Sequence, residues 1–288
     1  MRIIDITRLF ILAAIWGGSF IFMRVIAPVM GAIPTANSRV LIAGLVLTLY
    51  FTLTGFNLEW KKNWKQYLII GVLGSGIPFA LFAYAAISIP ASYEVILNST
   101  TPLFGTLFSW MWLGENMGPR KLLGLLVAGF GVAIVVNIGT THLTTPFILS
   151  VLACLLAAIC YGLTGIYIKK FASQLNPKAV AAGSLLLVGI FMLPFSMSHS
   201  INSNVLFQPK IILCILGLAL ICSALAYLMY YQLMAEIGPS KAMTVTFLMP
   251  IFGMIWGYLF LGEPVTLSMI LGTITILLGT WLVVQKKA

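Results

Sequence analysis

The chain reads as an all-α integral membrane protein, with ten transmembrane helices arranged as two inverted five-helix repeats. Three observations lead there. Of the 288 residues 61% are hydrophobic and only 8% charged, with mean hydropathy +1.08; a soluble domain of that composition could not cover its own surface. Apolar runs recur along the whole length, each long enough to cross roughly 30 Å of hydrocarbon as a helix. Finally, one stretch is written twice. Pro102 to Gly131 reads PLFGTLFSWMWLGENMGPRKLLGLLVAGFG, and Pro250 to Gly279 reads PIFGMIWGYLFLGEPVTLSMILGTITILLG; a shift of 148 positions superimposes them without a gap.

Taken in order, the spans are expected at 9–27, 36–54, 67–87, 91–113, 120–138, 147–168, 178–197, 211–233, 240–261 and 267–285. Arg2 and Arg8 precede the first run as in a signal peptide, but no small-x-small site closes it, so it reads as an uncleaved helix. Trp60 and Trp64, flanking Lys61 and Lys62, mark an interfacial belt ahead of the third span. Pro102 and Pro250 fall within the fourth and ninth spans, where each frees a backbone carbonyl and is expected to bend its helix at a mirrored depth. Gly124 with Gly131, and Gly272 with Gly279, are seven apart on one helix face, a spacing for close backbone approach; Gly105 with Ser109 and Gly253 with Gly257 are small-xxx-small pairs. In the sixth span AAICYGLTGIYIKK (157–170) echoes AAIWGGSFIFMR (13–24) of the first with a one-residue slip. The runs are continuous rather than alternating, which excludes a transmembrane barrel. Fewer than about 90 residues lie outside them, leaving no room for a soluble catalytic domain.

Charge sorting sets the orientation. A cytoplasmic N-terminus gathers Arg2, Arg8, Lys61, Lys62, Lys65, Arg120, Lys121, Lys169, Lys170, Lys178, Lys241, Lys286 and Lys287 inside, leaving Arg24, Arg39 and Lys210 outside. Both termini are therefore expected in the cytoplasm. Five spans per half is odd, so residues 145–288 enter from the side opposite to residues 1–144. A bacterial cytoplasmic (inner) membrane is the expected location. Basic loops beside anionic lipid account for the +10 net charge without a nucleic-acid partner.

Enzymatic chemistry has little to work with. Cys154, Cys160, Cys214 and Cys222 lie inside spans without metal-ligand spacing, and His142 and His199 sit in outer loops. No G-x-x-x-x-G-K-[ST] is present. No cofactor, no metal and no catalytic residue are expected.

The repeated P-x-F-x(7–8)-L-G-E followed by L-G-x(6)-G resembles the EamA-type repeat of the drug/metabolite transporter superfamily. Trp16-Gly17-Gly18-Ser19-Phe20 with Arg24 is similar to that family's W-G-x-x-F and following basic residue, and Arg39 in NSRVLIAG to the Arg that opens its second span. The resemblance covers both halves. It implies a central cavity lined mainly by spans 1, 3, 4, 6, 8 and 9, and movement, usually export, of amino acids or other small metabolites. The chain departs from the pattern at Glu94, where related repeats mostly carry a small or apolar residue, and at Cys160-Tyr161, where the first half has Trp16.

Glu94, Asn98, Thr101 and Gly105 are spaced i, i+4, i+7 and i+11, so a continuous helix would put them on one face, expected to look into the bundle. Thr246 matches Asn98, but Ala242 replaces Glu94, so the halves differ in chemistry. Glu94 is the one acid well inside a span. It is expected either to titrate as a proton-coupling group or to meet water at the outer interface in the first helical turn. Trp16, Phe79, Phe82, Tyr84, Tyr161, Tyr227, Tyr230 and Tyr231 are the candidate aromatic walls of a substrate site that also takes Glu94, Asn98, Thr101 and Thr246. Arg24 and Arg39 are placed at the outer mouth, attracting a carboxylate or snorkelling to headgroups. The function expected is a secondary transporter, exporter or exchanger, alternating between two inverted repeats, with a small-molecule substrate, lipid around it, and a monomeric or weakly dimeric state. With one candidate titrating acid, the coupling alternatives are an uncoupled carrier or proton antiport on Glu94. A lipid or lipid-linked-intermediate flippase is the alternative function; a membrane-embedded enzyme is disfavoured.

Overall fold

The computed structural model describes residues 2–137, 144–199 and 206–284, which are helical without a strand; His142, Lys286 and Lys287 lie outside them. Helices α1 (Ile3–Met30), α2 (Ala32–Leu53) and α3 (Trp60–Ser88) come first. Next are α4, in two pieces (Ala91–Asn98 and Thr101–Leu113), and α5 (Pro119–Asn137). The second half contains α6 (Thr145–Phe171), α7 (Pro177–Met197) and α8 (Pro209–Ile237). It ends with α9, also in two pieces (Pro239–Ala242 and Val245–Leu261), and α10 (Leu267–Val284). Among the described residues, eight of these are long and apolar enough to cross a membrane, and Val245–Leu261 is a shorter apolar helix. The chain is an integral membrane protein.

Several boundaries differ from those expected. Helix α3 starts at Trp60, so Lys61, Lys62 and Lys65 extend it as a polar turn rather than forming a loop. Helix α2 starts at Ala32, which moves Arg39 from the mouth to the eighth residue of a helix, where it is 5% exposed. The largest difference is the break in α4. Pro102 has no N–H to donate to Asn98, and three hydroxyls in a row bond back to their own chain. Ser99 Oγ donates to Ile96 O, Thr100 Oγ1 to Leu97 O at 2.7 Å and Thr101 Oγ1 to Asn98 O at 2.8 Å. These satisfy carbonyls that a continuous helix would have used. Pro102 thus stands in the first turn of the second piece rather than inside a bent helix, whereas Pro250 does lie inside Val245–Leu261. The break in α9 comes four residues earlier in its copy, where Thr244 Oγ1 donates to Lys241 O at 2.6 Å and Thr246 Oγ1 to Met243 O at 2.9 Å.

Glycine sets the closest packing. A Cβ on Gly124 would meet Gly279 O at 2.6 Å, and one on Gly279 would meet Ala128 N and Gly124 O at 2.5 Å. Gly131 and Gly272 face each other's helix in the same way, so α5 and α10 run backbone against backbone. Helices α2 and α7 repeat the device reciprocally, Gly44 lying against Leu186 and Gly189 against Leu41. Gly17 of α1 lies against Gly253 of α9, and Gly162 of α6 against Gly105 of α4. Large side chains fill the remainder. Met23, Ile26, Phe82, Ile89 and Ile96 form one core, and Val40, Leu47, Tyr67 and Leu185 another.

Helices α3 and α8 each contain π-helical turns, at Val72–Gly76 and Gly217–Leu225. Under the 148-residue shift these fall on one another, with Ser75 opposite Ser223. A π turn widens the helix locally and is common at functional sites.

Leucine at Gly279 must push α10 off α5, because the atoms it meets are backbone. Gly279→Leu is expected to cost about 1–3 kcal/mol, read as a lowered thermal midpoint in detergent. An unchanged midpoint would show that the α5–α10 contact is loose.

Candidate functional site

The bundle encloses a central cavity of about 210 Å³ between the two halves of the sequence. From the first half come Trp16, Ser19, Phe20 and Met23 of α1, Arg39 of α2, Phe79 and Phe82 of α3, and Asn98 and Thr101 of α4; the second half gives Tyr161 of α6, Tyr227 and Tyr230 of α8, and Thr246 and Met249 of α9. The volume lies below the roughly 300–1,000 Å³ of drug-sized sites and fits a small metabolite.

Aromatic rings brace one another around it. Trp16 packs edge-on to Tyr227 at 6.3 Å between centroids and tilts against Tyr230 at 5.1 Å. Across the cavity Phe82 stands edge-to-face with Phe20 at 5.2 Å and stacks with Tyr161 at 6.2 Å. Tyr231 is not in the wall; it stacks behind Tyr227 at 6.1 Å. Such mutually packed rings hold their rotamers and preserve the shape of the site.

The serine and threonine hydroxyls here already donate: Ser19 Oγ to Trp16 O at 2.7 Å, and Thr101 and Thr246 to carbonyls three residues back. Asn98 Oδ1 has a 3.4 Å contact from Thr101 Oγ1. The strongest polar group is Arg39. Its Nε donates to Ser223 Oγ at 2.9 Å, and that hydroxyl donates to Leu218 O at 3.1 Å, five residues back in the π turn. The guanidinium lies over the Phe79 ring, 3.7 Å from its centroid, and Nη1 has a 3.8 Å contact to Met23 Sδ.

Two candidates stand elsewhere. Tyr84 is 41% exposed on the outside of α3. Glu94 is fully buried but outside the cavity wall, one turn of α4 beyond Asn98; neither carboxylate oxygen has a hydrogen-bond partner, and the charges acting on it are Glu263 and Arg24. Arg24 donates to Ala86 O. Sequence reasoning missed Arg39 as a cavity residue because it read the helix as starting four residues too late; an arginine inside an apolar run was the available signal.

The two Gly-Glu motifs close their helices identically and are then used differently. Gly114 and Gly262 cap α4 and α9 in left-handed conformation, at φ 67° and φ 66°. Beyond the second, Glu263 is buried and accepts from Ala91 N at 2.8 Å, Ser92 N at 3.2 Å and Ser92 Oγ at 2.8 Å. It therefore caps the N-terminus of α4, where the helix dipole favours an anion. Glu115 instead meets Lys169 at 2.7 Å and Lys121 at 3.9 Å, and the Lys169 hydrogen bond holds its carboxyl below the ordinary range.

A second, larger hollow of about 520 Å³ lies between α1, α8 and α9 and is lined by residues such as Ile21, Phe22, Ile221 and Phe260. Its inner polar groups are spent, Trp256 Nε1 donating to Ala14 O at 2.9 Å and Cys222 Sγ to Ile15 O at 3.3 Å; Lys210 is the charge at its wall. It offers hydrocarbon contact, whereas the central cavity offers convergent polar and aromatic groups.

A helical membrane bundle with an aromatic cavity between two sequence-related halves defines a transporter-like class of protein. The EamA-like transporter family matches this chain twice, over residues 5–137 and 148–285, and the chain belongs to that family, within the drug/metabolite transporter superfamily. It is 27% identical over 277 residues to the uncharacterized transporter YvbV of Bacillus subtilis, covering 96% of this chain and 90% of that one. It is 21% identical over 264 residues to the protein PecM of Dickeya dadantii, covering 91% and 86% respectively. A solved crystal structure superimposes on 98% of this chain and 96% of its own with TM-score 0.65 at 15% identity, a likeness of fold.

Removing the cap tests its weight. Glu263→Ala leaves the Ala91 and Ser92 donors unpaired and is expected to cost about 1–2 kcal/mol, with faster hydrogen exchange at those amides. Wild-type stability and exchange together would show that the contact carries none.

Proposed function

We propose that the protein is a secondary transporter, an exporter or exchanger of small metabolites of amino-acid size, working by alternating access. The observation that carries this reading is the cavity itself: one small chamber with walls drawn from both halves of the sequence, in a chain with little outside its helices. Ten spans, with residues 1–144 and 145–288 as inverted halves and both termini in the cytoplasm of a bacterial inner membrane, fit the packing. Exchanging each helix with its copy turns the α1–α9 contact into α6–α4, α3–α6 into α8–α1 and α3–α7 into α8–α2, all present; α2–α7 and α5–α10 map onto themselves.

Departures from that symmetry describe the state. Helix α1 packs directly on α3 and α4, while the corresponding packing of α6 on α8 and α9 is much sparser among the described residues. The Glu263 cap lies on the packed side, the Glu115–Lys169 pair on the other. In the proposed cycle the cap on α4 is released when that end opens, and the lysine-held end closes. Such a change needs only two packings of nearly equal free energy. The flippase alternative would need a headgroup site in the lateral hollow, whose inner polar groups are already satisfied. The protein is proposed to act as a monomer or weak dimer.

Flux of labelled amino acids and related metabolites into proteoliposomes tests the reading. Asn98→Ala and Tyr227→Ala are each expected to cut flux at least roughly tenfold, the scale of one lost buried polar contact, while folded protein stays in the membrane. Wild-type flux in both would remove the central cavity as the substrate site, and absence of flux for the whole panel would count against a transporter.

Coupling is separable from transport. An uncoupled carrier is the reading adopted, because Glu94 stands outside the cavity. Glu94→Gln keeps the shape and removes the titratable group. It is expected to leave both counterflow exchange and any response to a pH gradient unchanged; loss of gradient-driven accumulation with exchange retained would establish proton antiport through Glu94.

A further inference from the structure

We propose that Arg39 is the anion-binding group of the central cavity, and that the cavity selects a small net-anionic organic acid, a carboxylate on an apolar body, over a zwitterion or a cation. The proposal rests on the central cavity being the substrate site and narrows the class of ligand it takes.

Arg39 is 5% exposed and, at any physiological pH, cationic. A buried charge demands a counter-charge or dense hydrogen bonding. Among the described residues no carboxylate lies within ion-pair distance of it, and the six acids of the chain are engaged or placed elsewhere. Asp5 and Glu236 pair with Arg2, and Glu236 also with Arg8; Glu115 pairs with lysines. Glu263 caps α4, Glu59 accepts from Asn63, and Glu94 lies outside the cavity wall. The titratable groups around Arg39 are Tyr161, Cys222 and Tyr227, none of them a carboxylate.

The guanidinium is nevertheless carefully held. Ser223, presented by the π turn of α8, takes Nε, and the face of Phe79 covers one side of the plane. The described residues give Nη2 no acceptor, and it is not sealed from the cavity. Fixing a cation by its Nε and its face while leaving an edge open is the geometry of a fork for a carboxylate. Aromatic walls beside it suit the apolar remainder of such a ligand.

The same accounting disfavours an ammonium. The cavity wall contains no acid, so the amino group of a zwitterion would find a neutral amide oxygen on Asn98 and aromatic faces, close to a fixed positive charge. The counterpart of Arg39 under the pairing that relates Gly44 to Gly189 is Ser184, so the second half brings no matching charge. A single cation defines the field.

Three probes with one phenyl ring on a short chain separate the possibilities: phenylacetate, L-phenylalanine and phenethylamine. Each is titrated at pH 7 against full-length protein in nanodiscs of phosphatidylcholine, with the thermal midpoint as readout. Phenylacetate is expected to stabilise most and phenethylamine least, and Arg39→Gln to weaken phenylacetate at least roughly tenfold and erase the order. Arg39→Lys, which keeps the charge but not the fork, is expected to preserve the order while weakening phenylacetate, and this arm together with the wild-type ranking decides the matter if Arg39→Gln does not fold. Equal binding of all three, binding of none, or an anion preference that survives Arg39→Gln would overturn the proposal. So would stabilisation by phosphatidylglycerol in the nanodisc with no effect of free phenylacetate, which would assign Arg39 to lipid. Anion selection through Arg39 without flux of any solute in proteoliposomes would leave the anion site standing and remove the transporter; flux without anion selection would do the reverse.

Discussion

Hydrocarbon gives apolar helices no reason to prefer one another over lipid, so this bundle depends on how closely its backbones approach. Two close seams, α5 against α10 and α2 against α7, join the halves of the sequence and are built on glycine where any side chain would collide with a main-chain atom of the neighbour. Neither α5 nor α10 contributes to the central cavity, and α2 contributes only Arg39. Dispersion contacts at these seams fix the halves to one another, and that frame lets α1, α3, α4, α6, α8 and α9 keep breaks, π turns and a cavity in the middle of the bundle. Irregular backbone at such depth is tolerable only where it is buried in protein or lines a cavity. Here the broken turn at Ser99–Thr100 does both: its hydroxyls supply the missing donors, and Asn98 and Thr101 on either side of it face the cavity.

The class of protein was legible in the sequence because it rests on quantities that need no geometry. Composition put the chain in a membrane, and the repeated Pro-to-Gly stretch revealed the halves and the family. What stayed hidden were the places where a local bond overrides the apolar pattern. The stripe from Glu94 to Gly105 assumed one helix, but Ser99, Thr100 and Thr101 turn their hydroxyls onto their own carbonyls, and the register is lost between Asn98 and Thr101. Arg39 was set at a mouth because the second span was expected to begin at 36; the helix instead begins at Ala32, and a whole further turn brings Arg39 inside the bundle. Tyr84 failed as a cavity residue for the opposite reason: nothing in an apolar helix says which aromatic side chain faces lipid.

Duplication gave the two halves the same backbone and different chemistry. Gly114-Glu115 and Gly262-Glu263 terminate their helices with the same left-handed turn, and Ser75 and Ser223 sit in equivalent π turns. Yet one glutamate caps a helix across the halves while the other is held by Lys169, and one serine holds an arginine that the other half lacks. The unequal groups placed on the shared helix pattern set what charge the cavity presents. The separation is clean in this molecule, since glycine carries the symmetry and charged residues carry the asymmetry.

Glu94 shows how far that separation reaches. It is the deepest acid among the described residues, and the central cavity stops one turn short of it. The charges acting on it belong to Glu263, the cap of its own helix, and to Arg24, whose guanidinium is bound to Ala86 O at the end of α3. Glu94 therefore stands beside the contact between α4 and the Glu263 turn rather than in the cavity wall. In the proposed transporter, recognition at Arg39 and closure at the Glu263 cap therefore reside in different residues that share no hydrogen bond.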